Sequence, residues 1–240
     1  MSEHLKAVKR LVRFGTGDAN DLRLSRCENI DGGIEFTINE RATFRVPMLG
    51  KHNAINAVAT VAVGRHMNLA DESIAAGLGK VEPAQMRLNR IRFGQGDGAV
   101  TVINDAYNAS PDSMTAAIDV LAGLPTQGRR VAVLGDMAEL GEHAATLHRD
   151  LGVTLANAAV DTAVLIGPMM MFAAESLSKH WAGDRVHAMP SWDDEAPGEV
   201  AGLIQAGDTV LIKASRSAGL ERLLPAIEQR FGAADALPAD

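Results

Sequence analysis

A short polar segment behind an apolar run is the first place where this sequence could do chemistry. The run Ala99–Asn104 is followed by Asp105, Tyr107 and Asn108 within the sequence DAYNASPDSM. A carboxylate at the end of a strand is well placed to accept hydrogen bonds from a ribose, while the phenol ring offers a stacking face and the amide offers donors. The alternative is a structural Asx turn. Spacing alone leaves both interpretations open.

The rest of that segment has a purely structural explanation. Ser110 is suited to the N-cap of a helix, and Pro111 to the first helical position, where its missing N–H costs nothing. Asp112 then lies in the first turn, where it complements the helix dipole. These three residues predict the start of a helix and need no ligand.

A second polar segment contains Lys213, Ser215 and Arg216, and it follows the apolar run TVLIK. Two cations with a hydroxyl at the carboxyl end of a strand suit a carboxylate or a phosphate. A helix cap with solvated cations explains the same residues equally well. A comparable turn, LGDMAELG, places Asp136 after RVAVL, and there a turn and a cap are sufficient.

Two further groups are candidates for nucleotide binding. Asn53 and Asn56 lie three residues apart on one face of a predicted helix, and amides can match both donor and acceptor positions of an adenine edge. Alternatively, Asn53 only caps that helix. Arg87 follows Pro83 in a linker and either reaches a phosphate across a domain cleft or is a linker charge.

Other patterns argue against specific sites. The sequence has no GxxxxGK[ST] loop, and GQGDG at Gly94–Gly98 reads as a turn between two strands. His143 and His148 are five residues apart, so they do not share a helix face as a metal pair would, and we expect them to be exposed or partly buried. We therefore assign no metal ligand and no certain catalytic residue within the chain.

The elements that position these groups follow two different hydrophobic periods. Residues 10–46 alternate in short runs between turn-forming segments, which predicts strands joined by hairpins. The Ala-rich segment His52–Met67 predicts a helix. Asp71–Lys80 predicts a second helix, capped by Asp71.

From about Gln85 onward, predicted strands alternate with predicted helices. The strands are Ala99–Asn104, Arg130–Leu134, Thr162–Ile166, Arg185–Ala188 and Thr209–Lys213. The helices begin near Pro111, Leu140, Pro168, Asp193 and Ser217. This alternation predicts an α/β fold with a doubly wound, mostly parallel sheet. The tail, residues 232–240, has no periodicity and is predicted to fray.

Composition narrows the partners. The net charge of −7 argues against a nucleic-acid-binding surface, which needs clustered cations. The sequence contains a single cysteine, Cys27, so an intrachain disulfide is impossible. No apolar run has the roughly 20 residues that span a bilayer, and the first residues lack the apolar stretch of a signal peptide. We expect a cytoplasmic protein.

Taken in order, these segments resemble the Mur ligase family. The resemblance is carried by GKHNAINA, by Arg87 behind its linker, and by NDAYNASPDSM, VAVLGDMAELGEHAATLHRDLG and VLIKASRSAGLERLL. It runs from about Leu11 to Gly232. The stretches YNASPDSM and LGDMAELGEH are most similar to the branch of the family that adds D-Ala-D-Ala to UDP-N-acetylmuramoyl-tripeptide.

The resemblance implies a domain organisation. Mur ligases have an N-terminal domain that holds the UDP moiety, a central ATPase domain and a C-terminal Rossmann-like domain. Residues 1–82 are then expected to form the C-terminal part of the central domain, and residues 83–240 the Rossmann-like domain.

The resemblance also implies a reaction. ATP, with Mg²⁺, phosphorylates the terminal carboxylate of the muramoyl tripeptide, and the amine of D-Ala-D-Ala then displaces phosphate from the acyl phosphate. By motif matching, Asn53 and Asn56 face adenine, and Asp105 faces the ribose. Arg87, with Tyr107 or Asn108, faces the ATP phosphates. Lys213, Ser215 and Arg216 resemble the family's segment near the incoming peptide.

One departure from the family is large. The family's phosphate-gripping loop, its magnesium ligands and its modified lysine have no counterpart in this sequence. Little would neutralise the charge of a transferring phosphoryl group, so the chain alone is predicted to be inactive, and a separately encoded front half is one way to complete it. Two other interpretations stay open: a non-catalytic nucleotide- or peptide-binding module, and a fragment similar to folylpolyglutamate synthetase.

Overall fold

The computed structural model describes residues 11–30, 32–82 and 84–236. These residues form two compact units, one up to Glu82 and the other from Ala84 onward. The first ten residues, the linker proline Pro83 and the tail residues 237–240, on which several of the predictions fall, lie outside the described ranges. Within those ranges, no helix is both long enough and apolar enough to cross a membrane.

The first unit contains a four-stranded sheet whose strands follow one another in chain order. The strands are β1 (Phe14–Gly15), β2 (Leu22–Ile30), β3 (Gly33–Ile38) and β4 (Ala42–Val46). The pairs β2–β3 and β3–β4 are antiparallel, which confirms the predicted hairpins, whereas β1 runs parallel to β2.

Two helices complete this unit: α1 (Lys51–His66) and α2 (Asp71–Leu78). The prediction that Asp71 caps α2 is wrong, because Ala70 occupies the N-cap position. Asp71 instead lies in the first turn and accepts two hydrogen bonds from Arg65 of α1, at 2.8 and 2.6 Å. The Asp71 carboxylate thus pairs with the guanidinium of Arg65 and does not cap its own helix.

The second unit contains a seven-stranded sheet. Its strands are β5 (Asn89–Phe93), β6 (Val100–Asp105), β7 (Arg130–Gly135), β8 (Thr162–Ile166), β9 (Val186–Met189), β10 (Thr209–Lys213) and β11 (Ala234–Ala236). Their order is β11-β5-β6-β10-β7-β8-β9. The five strands from β6 to β9 in this order are parallel, whereas β5 pairs antiparallel with β6 and β11 pairs antiparallel with β5. The predicted fold class is confirmed.

Helices cover both faces of this sheet. They are α3 (Pro111–Gly123), α4 (Ala144–Asn157), α5 (Met170–Leu177), α6 (Ala196–Leu203) and α7 (Leu223–Phe231). Alternate residues of the central strands β6, β7, β8 and β10 pack with α6 and α7 in one core cluster, and most of the residues between them are buried on the opposite face. Because both faces of these central strands are covered, they are mostly apolar rather than alternating, whereas the edge strand β9 is only partly buried.

Several boundaries differ from the predictions. Helices α4 to α7 begin two to six residues later than predicted, because 3₁₀ turns or short loops precede them. The predicted fraying of the tail is wrong for Ala234–Ala236, which pair antiparallel with β5. Gly232, with φ of 101°, turns the chain back, and the unpaired edge of β5 then accepts the added strand.

Candidate functional site

The topology brings the two main polar segments of the second unit to one edge of the sheet. Strand β10 is inserted between β6 and β7, so Lys213 pairs in register with Asp105 on one side and with Leu134 on the other. All three strands end at this edge. In an open parallel sheet, ligands bind beyond the carboxyl ends of the strands at such a reversal of strand order. This carboxyl edge is therefore the candidate site.

A nearly buried ion pair lies at its centre. Lys213 Nζ donates to Asp105 Oδ2 at 2.6 Å and to the backbone carbonyl of Asn108 at 2.8 Å. The Lys213 side chain is 3 % exposed and that of Asp105 is 14 % exposed. Asp105 Oδ1 also accepts the backbone N–H of Leu88, at 3.1 Å. Each carboxylate oxygen keeps further acceptor capacity, since it accepts one of these bonds and has two lone pairs.

An exposed cation and an aromatic ring lie next to this pair. The guanidinium carbon of Arg87 is 4.5 Å from the centroid of the Tyr107 ring, a cation–π geometry. The backbone around Arg87 is unusual, because Met86 and Leu88 have φ of 57° and 55°. Besides the bond from Leu88 to Asp105, it is held by a hydrogen bond from Tyr107 N–H to the Met86 carbonyl at 3.2 Å. Arg87 N–H lies within hydrogen-bonding distance of the Ala84 carbonyl, at 3.2 Å, and of Asn89 Oδ1, at 3.1 Å.

The segment after β10 divides into a buried and an exposed part. Ser215 is buried, and its Oγ accepts the N–H of Ala138 at 2.8 Å while its own N–H donates to the Asp136 carbonyl at 3.1 Å. Arg216 is exposed, contacts the thioether of Met86, and lies 3.5 Å from a carboxylate oxygen of Glu221. Ser215 thus fastens two loops together, and Arg216 is available at the surface.

The loop after β7 carries Asp136, which caps a helix other than the one that follows it. Its carboxylate accepts the N–H groups of Met170 at 2.9 Å and of Met169 at 3.4 Å, at the beginning of α5. Gly135, the last residue of β7, leaves the room for this arrangement, because a Cβ there would lie 2.8 Å from the Cβ of Ala214. The loop after β7 is therefore packed directly against the segment after β10.

The structure corrects the prediction for His148, whereas His143 is exposed as expected. His148 is fully buried: its Nε2 lies 3.1 Å from the N–H of Met137, and its Nδ1 lies 2.7 Å from the carbonyl of Ala144. Accepting at Nε2 and donating at Nδ1 corresponds to the neutral ring. The signal was present in the sequence, since His148 precedes the buried Leu151 and Leu155 at helical spacing.

The two candidate asparagines, Asn53 and Asn56, both lie in helix α1 of the first unit. Asn53 is not the N-cap of α1, since Gly50 occupies that position, so the capping interpretation is wrong. Its side-chain amide donates to the Leu49 carbonyl at 2.8 Å. Asn56 is exposed on the next turn, with its Nδ2 3.5 Å from Asn53 Oδ1.

The chemistry offered by the carboxyl edge is that of binding. Arg87 and Arg216 present cations, Tyr107 a ring and Asn108 an amide, all at the surface. Guanidinium groups match phosphates and carboxylates in two-pronged geometry. In the parts of the chain that the structure describes, no group of three His, Cys, Asp or Glu side chains is placed to hold a metal ion.

Comparison with known proteins identifies similar sequences and folds. The family described as Mur ligase, glutamate ligase domain, matches residues 86–216. The chain is 39 % identical over 214 residues to UDP-N-acetylmuramoyl-tripeptide–D-alanyl-D-alanine ligase of Bacillus subtilis, covering 88 % of this chain and 46 % of that protein. It is 36 % identical over 205 residues to the ligase of the same name from Treponema pallidum, covering 84 % of this chain and 43 % of that protein.

A solved structure gives the same result for the fold. The chain superposes on MurF from Acinetobacter baumannii with a TM-score of 0.75 and 30 % identity, covering 90 % of this chain and 46 % of that one. The chain therefore spans less than half the length of these relatives.

Proposed function

The chain belongs to the Mur ligase family, and from this premise we propose that it forms the nucleotide-facing and acceptor-facing part of an ATP-dependent amide ligase. The ligase joins D-Ala-D-Ala to UDP-N-acetylmuramoyl-tripeptide in the synthesis of the peptidoglycan precursor. ATP first phosphorylates the terminal carboxylate of the tripeptide, and the amine of D-Ala-D-Ala then displaces phosphate. The reaction takes place in the cytoplasm.

The observation that carries this proposal is where the family match falls. It begins at Met86, next to Arg87, and ends at Arg216. The matched stretch therefore contains every group that the second unit gathers at its carboxyl edge, and the cations exposed there are suited to an anionic substrate.

The residues divide by exposure. We assign Arg87, Tyr107 and Asn108, which are exposed, to the ATP phosphates, and the partly exposed Asp105 to the ribose. In the first unit, Asn53 and Asn56 are assigned to adenine.

The acceptor peptide is assigned to the segment of Lys213, Ser215 and Arg216. Arg216 is the exposed member and suits a carboxylate of the peptide. Ser215 is buried, but its hydroxyl hydrogen is not used when its oxygen accepts from Ala138 N–H.

The described residues of this chain are not suited to hold Mg²⁺, and its sequence has no phosphate-gripping loop. The residues fit one side of a nucleotide site. The chain alone is therefore proposed to lack ligase turnover, which a separately expressed front half restores.

Phosphate release tests this proposal. The purified chain is given ATP, Mg²⁺, UDP-N-acetylmuramoyl-tripeptide and D-Ala-D-Ala, with and without a co-expressed protein that carries the phosphate-loop half of a Mur ligase. Release that depends on D-Ala-D-Ala and on both proteins supports the proposal, and Arg87→Gln should then reduce it. Turnover by the chain alone at an ordinary enzyme rate contradicts the need for a front half. A stable but inactive complex supports a non-catalytic binding module instead.

A further inference from the structure

Lys213 is buried, so its charge acts on neighbouring residues of the protein and not directly on a ligand. Two of its three N–H donors are satisfied by Asp105 and by the Asn108 carbonyl, and its side chain is 3 % exposed. Burying a cation is costly unless it is paired and hydrogen-bonded. The pairing therefore has to be retained whenever this edge of the sheet is folded.

The partner of Lys213 connects it to a part of the backbone that is costly to maintain. Asp105 accepts the N–H of Leu88, and Leu88 and Met86 both have positive φ without being glycine. Such conformations cost free energy and persist only where the surrounding structure holds them. Between these two residues lies Arg87, which is exposed and placed over the ring of Tyr107.

Tyr107 is attached to the same arrangement from the other side. Its N–H donates to the Met86 carbonyl, and the Asn108 carbonyl that follows it accepts from Lys213. A single buried ammonium group thus holds both ends of the contact, Arg87 through Asp105 and Leu88, and Tyr107 through the Asn108 carbonyl.

We infer that Lys213 is a positioning residue: its ion pair with Asp105 holds the segment Met86–Leu88 in its unusual conformation and so places Arg87 against Tyr107. It acts through other residues, and within the segment assigned to the acceptor peptide the contact falls to the exposed Arg216. The inference rests on the proposed function only where it describes Arg87 and Tyr107 as facing a nucleotide. The positional part is independent of any ligand.

Tyr107 provides a direct readout, because it is the only tyrosine in the sequence. Tyrosine-labelled protein therefore gives the NMR signals of one ring, which respond to a guanidinium lying over it. Arg87→Gln defines the position of these signals when the cation is absent. Lys213→Met should move them from the wild-type position towards that of Arg87→Gln, with no ligand added.

Two further variants separate positioning from general damage. Asp105→Asn/Lys213→Met removes both charges, so no buried charge is left unpaired, and it should show the same displacement if Lys213→Met fails to fold. Arg129→Met breaks the ion pair with Asp208 elsewhere in the same sheet and should leave the Tyr107 signals unchanged. Wild-type signals in either folded Lys213 variant, or an equal displacement in Arg129→Met, would overturn the inference.

Titration with ADP tests the consequence for the site. Arg87→Gln and Lys213→Met should weaken ADP binding by the same factor, and the double variant by no more than either, since both remove the same contact. Independent, multiplying losses contradict the coupling. If the wild-type chain fails to bind ADP both alone and with the co-expressed front half, the proposed nucleotide role is wrong, and the Tyr107 signals alone decide the positional inference.

Discussion

Two ion pairs whose carboxylates are buried or nearly buried lie at opposite edges of the same sheet and are built differently. At the amino edge, where β7 and β10 begin, the carboxylate of Asp208 is 1 % exposed and accepts four hydrogen bonds. Three come from Arg129, through its backbone N–H, Nε and Nη2, and one comes from the N–H of Gln205. At the carboxyl edge, Asp105 accepts two bonds and is 14 % exposed. The first carboxylate is saturated by the protein, while the second keeps capacity for a ligand.

Burial and pairing of a carboxylate are therefore not enough to mark a ligand-binding site. Both pairs join segments about eighty or more residues apart in sequence. What distinguishes the carboxyl edge is the spare acceptor capacity of Asp105 and the exposed Arg87 and Tyr107 beside it. The amino edge only connects segments of the protein and is in this sense a structural joint. The carboxyl edge also connects segments, but it has groups available to a ligand as well.

The largest effect on stability is expected at the amino edge. Asp208→Ala removes four hydrogen bonds and leaves Arg129 without its ionic partner, and we expect a loss of about 3 kcal/mol in the free energy of unfolding. Both tryptophans, Trp181 and Trp192, lie in the second unit, so urea unfolding followed by tryptophan fluorescence reports on this unit.

Asp194 offers a matched control, since its side chain is fully exposed although it lies 3.2 Å from Arg222. Asp194→Ala should change the free energy of unfolding by less than about 0.5 kcal/mol. A similar small change for Asp208→Ala would show that the amino edge is not a structural joint.

A second prediction concerns how tightly the loops at the carboxyl edge are packed. In Gly135→Ala, the added methyl group would lie 2.8 Å from the Cβ of Ala214 and 3.1 Å from Leu220 Cδ1. Relieving these contacts should cost about 2–3 kcal/mol in the same urea unfolding experiment. It should also disturb the segment after β10.

The control for this variant has the opposite sign. Gly198 lies in helix α6, and nothing comes within 4 Å of a Cβ added there. Gly198→Ala should therefore stabilise the protein by up to about 1 kcal/mol, because alanine is the better helix former. If both variants stabilise, the loops at the carboxyl edge are not in close contact.

A third prediction tests whether the buried His148 stabilises the loop after β7 at the carboxyl edge. His148→Phe keeps a ring in the core but leaves the N–H of Met137 buried without its acceptor. We expect a loss of about 1–2 kcal/mol, the usual cost of an unsatisfied buried donor. His143→Ala, at an exposed position, should change stability by less than about 0.5 kcal/mol. Equal effects of the two changes would rule out a supporting role for His148.

The sequence predicted the elements of the second unit better than their connections. Two strands, TAVLI and TVLIK, have the predicted bounds, because continuous apolar runs of this length are typical of buried parallel strands. Helix α3 begins at Pro111 as predicted, since its start signals are adjacent in sequence.

Long-range partners could not be derived in this way. Asp136 caps a helix more than thirty residues away, and Lys213 pairs with Asp105 across more than a hundred residues. Local periods contain no information on such pairings. The strand β11 was missed for the same reason, because Ala234–Ala236 pair only where β5 offers a free edge. The candidate residues were thus found individually, and their grouping required the fold.

The smallest effect is expected at an ion pair that the solvent reaches. Arg65 and Asp71 are about one third or more exposed, and the hydrogen bonds donated by Arg65 hold the pKa of the Asp71 carboxyl below its usual range. A lowered pKa in the folded state stabilises the protein above the unfolded-state pKa, near 3.9, and the gain is lost as the pH falls through the folded-state value.

Asp71→Asn should therefore cost less than about 1 kcal/mol at pH 7, since exposed pairs are screened. The difference should vanish in acid and shrink in high salt. Hydrogen exchange of the α1 and α2 amides measures it in the first unit, and a loss as large as that of Asp208→Ala would mean that pairing, not burial, determines the energy.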